Sequence, residues 1–343
     1  MNLEDVAKRA GVGTATVSRV LNGHPSVKSS TRARVLRAVE ELKYKPNLHA
    51  RTLAGGRSRV LGIVMANLYN PFFADIYDSI ERHARQCGYE TLLANSSHDV
   101  KLLKASVHRL LGQQVAGLGV FPEMEPAILE ELREARIPVV LFDAGAAGGN
   151  FTAIDFDHRK GMRMLLDLLL ALGHRRLAYI AAPLAVQPTE ERRLEFLETT
   201  ARHGAESLVV TPPDDGFAGG RAAARELLRS GFAPTAILCV NDWIGVGVLR
   251  ELRNQGISVP GDMSVTGFDN ITISEFCCPS LTTIHIPRTE IGRLVVAALV
   301  PDASGAPSRP RRIFLDPELV VRESTGKAPA HAERRPDPLS ARV

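Results

Sequence analysis

Residues 3–23 read LEDVAKRAGVGTATVSRVLNG. Leu3, Val6, Ala7 and Ala10 recur at i, i+3, i+4 and i+7, which lines four apolar side chains along one helical face. Gly11-Val12-Gly13 then stops that helix, with Gly11 free to take the left-handed conformation that closes a C-terminus. A second short helix is expected from Thr14 to Leu21, with Val17, Val20 and Leu21 inward, and Asn22-Gly23 ends it. A third is expected from about Thr31 to Leu42, buried through Val35, Val39 and Leu42 and capped by Ser29 or Ser30. Two helices joined by a glycine turn and closed by a third make a helix-turn-helix. The second helix of such a unit enters the major groove and turns its early residues to base edges. Thr14, Ala15 and Arg19 are the exposed candidates, Thr16 and Ser18 reach toward phosphate or base, and Asn22 lies at the helix end.

Charge supports this reading once it is divided. The 343 residues carry 42 Lys/Arg and 38 Asp/Glu, a formal net charge of +4. Residues 1–59 hold twelve of the bases and four of the acids, a surplus of eight, so the remainder sums to −4. No acid occurs between residues 6 and 39. A solvated helical face ordinarily mixes signs, whereas grip on phosphate needs one sign. At 45% apolar and 23% charged the composition is that of an ordinary globular protein, which excludes a disordered chain, a collagen-like fibre and a disulfide-stapled miniprotein. Four cysteines, two of them adjacent (Cys277, Cys278), show no metal-ligand spacing, and reduced thiols fit a cytoplasmic protein. The start MNLEDVAKRA has no apolar signal segment, and the apolar run 164–172 is short and holds Asp167, so no membrane association is expected.

From Arg59 onward short apolar runs alternate with helical patterns. Val60–Met65, Thr91–Asn95, Gly117–Phe121 and Val139–Phe142 read as buried parallel strands, with helices near 74–87, 101–113 and 125–135. A second series follows: Leu177–Ala181, Ser207–Val210, Ala236–Val240 and Ser264–Phe268, with helices near 158–172, 190–203, 218–230 and 242–255. Such alternation implies α/β architecture in two lobes, each a doubly wound parallel sheet. Ligands of these sheets sit beyond the carboxyl ends of the strands. That rule selects Asn67, Phe72, Phe73, Asp143, Arg192, Asn241 and Asp269. Rings stack on the apolar faces of sugars, and Asp, Asn and Arg exchange paired hydrogen bonds with hydroxyls. Asp242 reads as the N-cap of helix 242–255, and Trp243 as either a ligand contact or a packing residue. The lone histidines His98, His158 and His174 read as surface residues.

The run from Leu3 to Val64, with its core DVAKRAGVGTATVSRVLN, resembles the head of the lactose-repressor/galactose-repressor (LacI/GalR) family of bacterial transcriptional regulators. The likeness continues from about residue 2 to residue 325. It implies a helix-turn-helix domain over 1–45, a hinge helix and linker over 46–58, a two-lobed periplasmic-binding-protein-like body over 59–325 that binds effector and dimerises, and a disordered Pro- and charge-rich tail over 326–343. Asn47 caps about two helical turns, Leu48–Ala54, which are too short to stand alone. The resemblance makes Leu53 a wedge in the minor groove, with His49 and Arg51 beside it on DNA. It also implies a homodimer on a pseudopalindromic operator and a small-molecule effector. Phe72 and Phe73 match the aromatic pair that packs on ligand in sugar-responsive members, Asp143 and Arg192 match a ligand-contacting acid and arginine, and Asn241 and Asp269 match an amide and an acid that hold sugar hydroxyls. Ala144 stands where an arginine often follows the acid. Val186 and Pro188 stand where purine-responsive members carry polar contacts, so a sugar or sugar derivative is expected over a purine. No cofactor and no metal are expected. The chain lacks G-x-G-x-x-G after its first strand, the phosphate-loop G-K-[ST], G-x-S-x-G and H-E-x-x-H, so a regulator is expected and not an enzyme.

Overall fold

A computed structural model describes residues 2–21, 25–44, 58–121, 126–135, 137–143, 151–184, 186–301 and 309–330. It forms two compact units, Met1–Ser58 and Arg59–Val343. Asn22, the expected hinge helix with His49, Arg51 and Leu53, and Ala144 lie outside the described residues.

The first unit holds α1 (Leu3–Ala10), α2 (Thr14–Leu21) and α3 (Ser29–Glu41). Val6, Ala7, Ala10, Val17, Val20, Val35 and Ala38 form its buried core, the faces that the 3.6-residue period marks. Asn2 and Asp5 close the start of α1 reciprocally: the Asn2 side chain accepts from the Asp5 amide at 3.0 Å and Asp5 accepts from the Asn2 amide at 2.9 Å. Gly11 ends the helix at φ +63°. The cap of α3 falls on neither serine. Lys28 occupies the cap position without a side-chain bond, and Ser29 and Ser30 belong to the helix itself.

The second unit begins with β1 (Val60–Met65), α4 (Pro71–Gln86), β2 (Glu90–Asn95), α5 (Val100–Gly112), β3 (Gly117–Val120), α6 (Pro126–Glu134), β4 (Val139–Phe142) and β5 (Thr152–Phe156). These build lobe one, whose six-stranded sheet runs β11-β5-β4-β3-β1-β2 with β11 (Arg312–Leu315) arriving from late in the chain. All its pairings are parallel. Lobe two comprises α7 (His158–Ala171), β6 (Arg176–Ile180), α8 (Gln187–Arg202), β7 (Glu206–Val210), α9 (Phe217–Arg229), β8 (Ala236–Cys239), α10 (Asp242–Asn254), β9 (Ser264–Thr266) and α11 (Ile273–Phe276). Its parallel sheet runs β7-β6-β8-β9. Beside it β10 (Thr283–His285) pairs antiparallel with β12 (Glu318–Val320).

The chain crosses between lobes three times: from β5 into α7, from β10 into α12 (Arg288–Leu299), and from β11 into β12. Helix α12 returns to lobe one and packs on α4. Gly292 makes that packing close, because a Cβ there would collide with the Ser79 side chain and the Ile80 backbone. One cluster of buried residues includes members of both lobes, and Phe156 of β5 meets Phe268, which follows β9, edge-on at 6.1 Å. β5 is not recognised in sequence, since TAIDF is short and interrupted by a charge, and Asp155 is neutralised by Arg312 at 2.6 Å.

The tail expected to be disordered from residue 326 is instead anchored at its start. The Gly326 amide donates to Ser264 Oγ at 3.1 Å, His174 Nε2 donates to Gly326 O at 3.0 Å, and the Ala328 amide donates to Leu172 O at 2.9 Å. Pro-rich composition misleads where backbone groups find partners. His174, expected at the surface, is fully buried in this clip, and burial holds its pKa below the usual histidine value.

Candidate functional site

Two surfaces collect the residues singled out by sequence. In the first unit, α2 turns Val17 and Val20 inward and leaves Thr14, Ala15 and Arg19 exposed, with Thr16 and Ser18 half-buried. This is the presentation a groove-reading helix requires: short side chains and one cation on a helix held from behind by packed valines.

In the second unit a cleft of about 600 Å³ lies between the lobes. All seven effector-site candidates line it: Asn67, Phe72, Phe73, Asp143, Arg192, Asn241 and Asp269. Six of them sit where a strand ends or the next helix starts, and Arg192 lies in the second turn of α8. Asn70 caps α4 by accepting from the Phe72 amide at 3.0 Å, and so aims the first turn of that helix into the cleft. Phe72 meets Phe73 edge-on at 5.1 Å and Phe142 at 6.5 Å, while Phe121 and Phe142 lie 5.3 Å apart. Lobe one thus supplies an aromatic wall. Asn67 closes the rim, its amide nitrogen donating to Asp215 of lobe two at 2.9 Å.

The floor is ionic. Asp143, at φ +49° after β4, accepts from the Phe156 amide through Oδ1 at 3.0 Å and from His158 Nε2 through Oδ2 at 2.9 Å. His158 Nδ1 in turn accepts from Arg192 Nε at 3.2 Å and Nη2 at 3.1 Å. Arg192 also donates from Nη1 to Val240 O at 2.5 Å, and its guanidinium lies 3.8 Å above the Phe268 ring. Asp269 Oδ1 stands 3.8 Å from Arg192 Nη2. That gap is an ion pair without a direct hydrogen bond, a place where a ligand hydroxyl can bridge donor and acceptor.

Burial pushes the Asp269 carboxyl up to about 8, against the pull of Arg192 and with the push of Asp242. Its turn is held in place by Arg288, which donates to Asp269 O, to Asn270 O at 2.7 Å and to Asp75 of α4 at 3.0 Å. Asp242 is not the cap of α10. Asn241 is, accepting from the Ile244 amide at 2.7 Å. Asp242 points into the core, where it accepts from Ser274 Oγ at 2.7 Å, Thr283 Oγ1 at 2.5 Å and the Ile271 amide at 2.9 Å. It thereby fastens the loop that carries Asp269. Its burial raises the carboxyl to about 6 against those bonds. Gly267 makes room for it, since a Cβ there would overlap Asp242 Oδ1.

Sequence reasoning missed His158, which is 3% exposed and central to the floor. The available signal was positional: it follows Phe156, the end of the unrecognised strand β5. His98 also lines the cleft, though exposed as expected. Trp243 and Phe217 are not among the lining residues and pack edge-on against each other at 5.6 Å. Val186 and Pro188 do line the cleft. Among the described residues no group of three or more His, Cys, Asp and Glu is placed to hold a metal ion, and no helix is long and apolar enough to cross a membrane.

A basic helix-turn-helix together with a two-lobed binding cleft defines a ligand-binding transcriptional regulator. Residues 2–47 match the model of bacterial regulatory proteins of the lacI family, and residues 166–325 match that of a periplasmic binding protein-like domain. The HTH-type transcriptional repressor PurR of Yersinia pestis bv. Antiqua (strain Antiqua) is 32% identical over 344 residues, covering 97% of this chain and 99% of that protein. The repressor CytR of Escherichia coli (strain K12) is 31% identical over 95% of this chain and 97% of its own length. Among solved structures, the lac repressor dimer bound to operator and the anti-inducer ONPF superposes with a TM-score of 0.82 at 29% identity, covering 95% of this chain and 99% of that one. The complex of the regulator CelR with cellobiose gives 0.67 at 31% identity, covering 94% and 99%. The chain belongs to the lacI family of bacterial regulatory proteins. It is a DNA-binding transcriptional regulator.

Proposed function

We propose that the protein is a repressor whose operator affinity is set by a sugar or sugar derivative bound between its lobes. One observation carries the reading: a wall of rings and a floor of Asp, Asn and Arg converge on a single cleft from positions at the ends of strands and the starts of helices. Phe72 and Phe73 would stack on the apolar face of the ligand, and Arg192, Asn241 and Asp269 would take its hydroxyls. Asp143 acts through His158, because both its oxygens are already engaged. Val186 and Pro188 offer side chains without polar atoms where a purine would call for them, which favours the sugar.

On the DNA side, Thr14, Ala15 and Arg19 read base edges, with Thr16, Ser18 and Asn22 supporting them on base or phosphate. His49, Arg51 and Leu53 engage the minor groove, and a homodimer reads a pseudopalindrome. Ligand shifts the population toward one closure angle of the lobes and releases DNA. The test takes operator DNA selected in vitro by the full-length protein. Sugars that raise the melting temperature should weaken that complex, and tightening by the same sugars would reverse the sign proposed. Leu53→Ala should weaken specific binding without lowering the melting temperature; unchanged operator affinity would remove the wedge.

A further inference from the structure

We infer that the cleft takes an uncharged ligand and turns away phosphorylated or carboxylated ones. The inference rests on reading the cleft as the site of a hydroxylated ligand. Four aspartic acids line it: Asp143, Asp214, Asp215 and Asp269. Against them Arg192 is the one Arg or Lys among the described lining residues. The neighbouring stretches 122–125 and 144–150 contain no Arg or Lys in sequence.

Arg192 spends three of its five N–H donors inside the protein. One amine donates to Val240 O, the edge through Nε and Nη2 donates to His158, and Phe268 covers a face of the guanidinium. The two N–H groups left, one on Nη1 and one on Nη2, are what this side chain can offer an incoming phosphate, and Asp269 Oδ1 stands 3.8 Å from Nη2. His158 does not supply a second cation. Its Nδ1 accepts from a guanidinium and its Nε2 donates to Asp143, so the arrangement requires the neutral imidazole. A proton on Nδ1 would face Arg192 directly.

Helix N-termini are the other common anion holders, through free amides in the first turn. Those at this cleft are occupied by the protein's own oxygens. Asn70 caps α4, Asp157 caps α7 by accepting from the Lys160 amide at 2.8 Å, Asn241 caps α10, and Asp214 Oδ1 accepts the Gly216 and Gly219 amides at the start of α9 at 3.0 and 2.9 Å. The fifth, α8, lacks a side-chain cap, but it opens Gln187-Pro188-Thr189-Glu190, with a proline that has no N–H and an acid in the first turn. Placing a dianion here would set it against the acids with only the two remaining Arg192 donors to offset its desolvation.

The test is a thermal-shift series on the full-length protein at fixed ionic strength. The probes are inorganic phosphate, cellobiose, and the matched pairs D-glucose with glucose 6-phosphate, D-ribose with ribose 5-phosphate, and cytidine with cytidine 5′-monophosphate. Arg192→Gln and Phe73→Ala, a half-buried ring outside the ionic floor, separate binding in the cleft from binding to the basic first unit. The expected result is stabilisation by an uncharged probe at least tenfold tighter than by its phosphorylated partner, with no phosphate effect that either variant removes. Saturable stabilisation by phosphate or a phosphorylated probe, lost in Arg192→Gln or weakened in Phe73→Ala, overturns the inference. Silence of every probe keeps the exclusion of anions and instead counts against the sugar reading for those compounds.

Discussion

Lobe one brings rings to the cleft: Phe72 and Phe73 from the start of α4, Phe121 and Phe142 from the ends of β3 and β4. Lobe two, built on the same parallel-sheet plan, brings Arg192, Asn241 and Asp269. The wall is self-sufficient, since its rings pack on one another and on the core. The floor is not. Asp269 is 4% exposed, and its carboxylate is desolvated without a direct hydrogen bond from its nearest cation. The wall therefore gives shape before any ligand arrives, and the floor gives response, because a ligand can improve what the protein has left incomplete.

This division is broken most severely at Phe72. That ring is 6% exposed and belongs as much to the core as to the cleft. Phe72→Ala should cost about 3–5 kcal/mol of stability, read in chemical denaturation of the full chain. Phe73 is half-buried, and Phe73→Ala should lose ligand affinity while costing well under half as much stability. Equal losses in the two would show that the wall is not graded from core to contact.

Next in size is Asp269. Asp269→Ala should leave operator affinity intact and weaken the best sugar by about 1–3 kcal/mol, the range for leaving a buried hydrogen-bond partner unsatisfied, read by calorimetric titration. An unaltered ligand response would remove Asp269 from the site and return the floor to a structural role.

Much of this was legible in the chain because the strand-end rule needs only the strands, and buried parallel strands are continuous apolar runs such as VLGIVM at 60–65. The helix-turn-helix was legible through residue spacing and the acid-free run. What escaped was tertiary. TAIDF does not look buried until Arg312, 157 residues later, pairs with Asp155. Without β5 there was no strand end to inspect, and His158 passed for a surface residue. Asp242 passed for a cap because its partners, Ser274 and Thr283, lie 32 and 41 positions away.

The pH dependence has a definite sign. A carboxyl raised to about 8 in the folded state, against 3.8 unfolded, binds its proton more tightly when folded. Between those values the folded state loses stability as pH rises, by about 1.4 kcal/mol per unit for one such group, and the loss levels off above about 8. His174 works oppositely, its lowered pKa costing stability as the solution falls below the usual histidine range. The window for Asp269 is therefore about pH 6.5 to 8. Melting temperature should fall across it in the wild type and fall less in Asp269→Asn. A slope unchanged by that substitution would mean the floor is not incomplete in the way described.

The smallest effect tests whether the lobes cooperate at all. Asn67 is the residue through which the aromatic lobe touches the polar one at the rim, donating to Asp215 while its own oxygen accepts from the Tyr69 amide at 3.0 Å. Asn67→Ala removes the bond across the cleft and leaves the ring wall and ionic floor in place. A partly exposed hydrogen bond of this kind contributes about 0.5–1.5 kcal/mol, and here it acts on closure of the cleft. Folding stability should hardly change, while the ligand-free cleft opens more readily, which small-angle scattering and hydrogen exchange at residues 66–70 and 213–216 would read. Sugar should then bind up to about tenfold more weakly, with the operator response shifted to higher sugar concentration and unchanged at saturation. A lowered maximal response would instead make Asn67 a direct ligand contact, and would place part of the response in the lobe that here supplies shape.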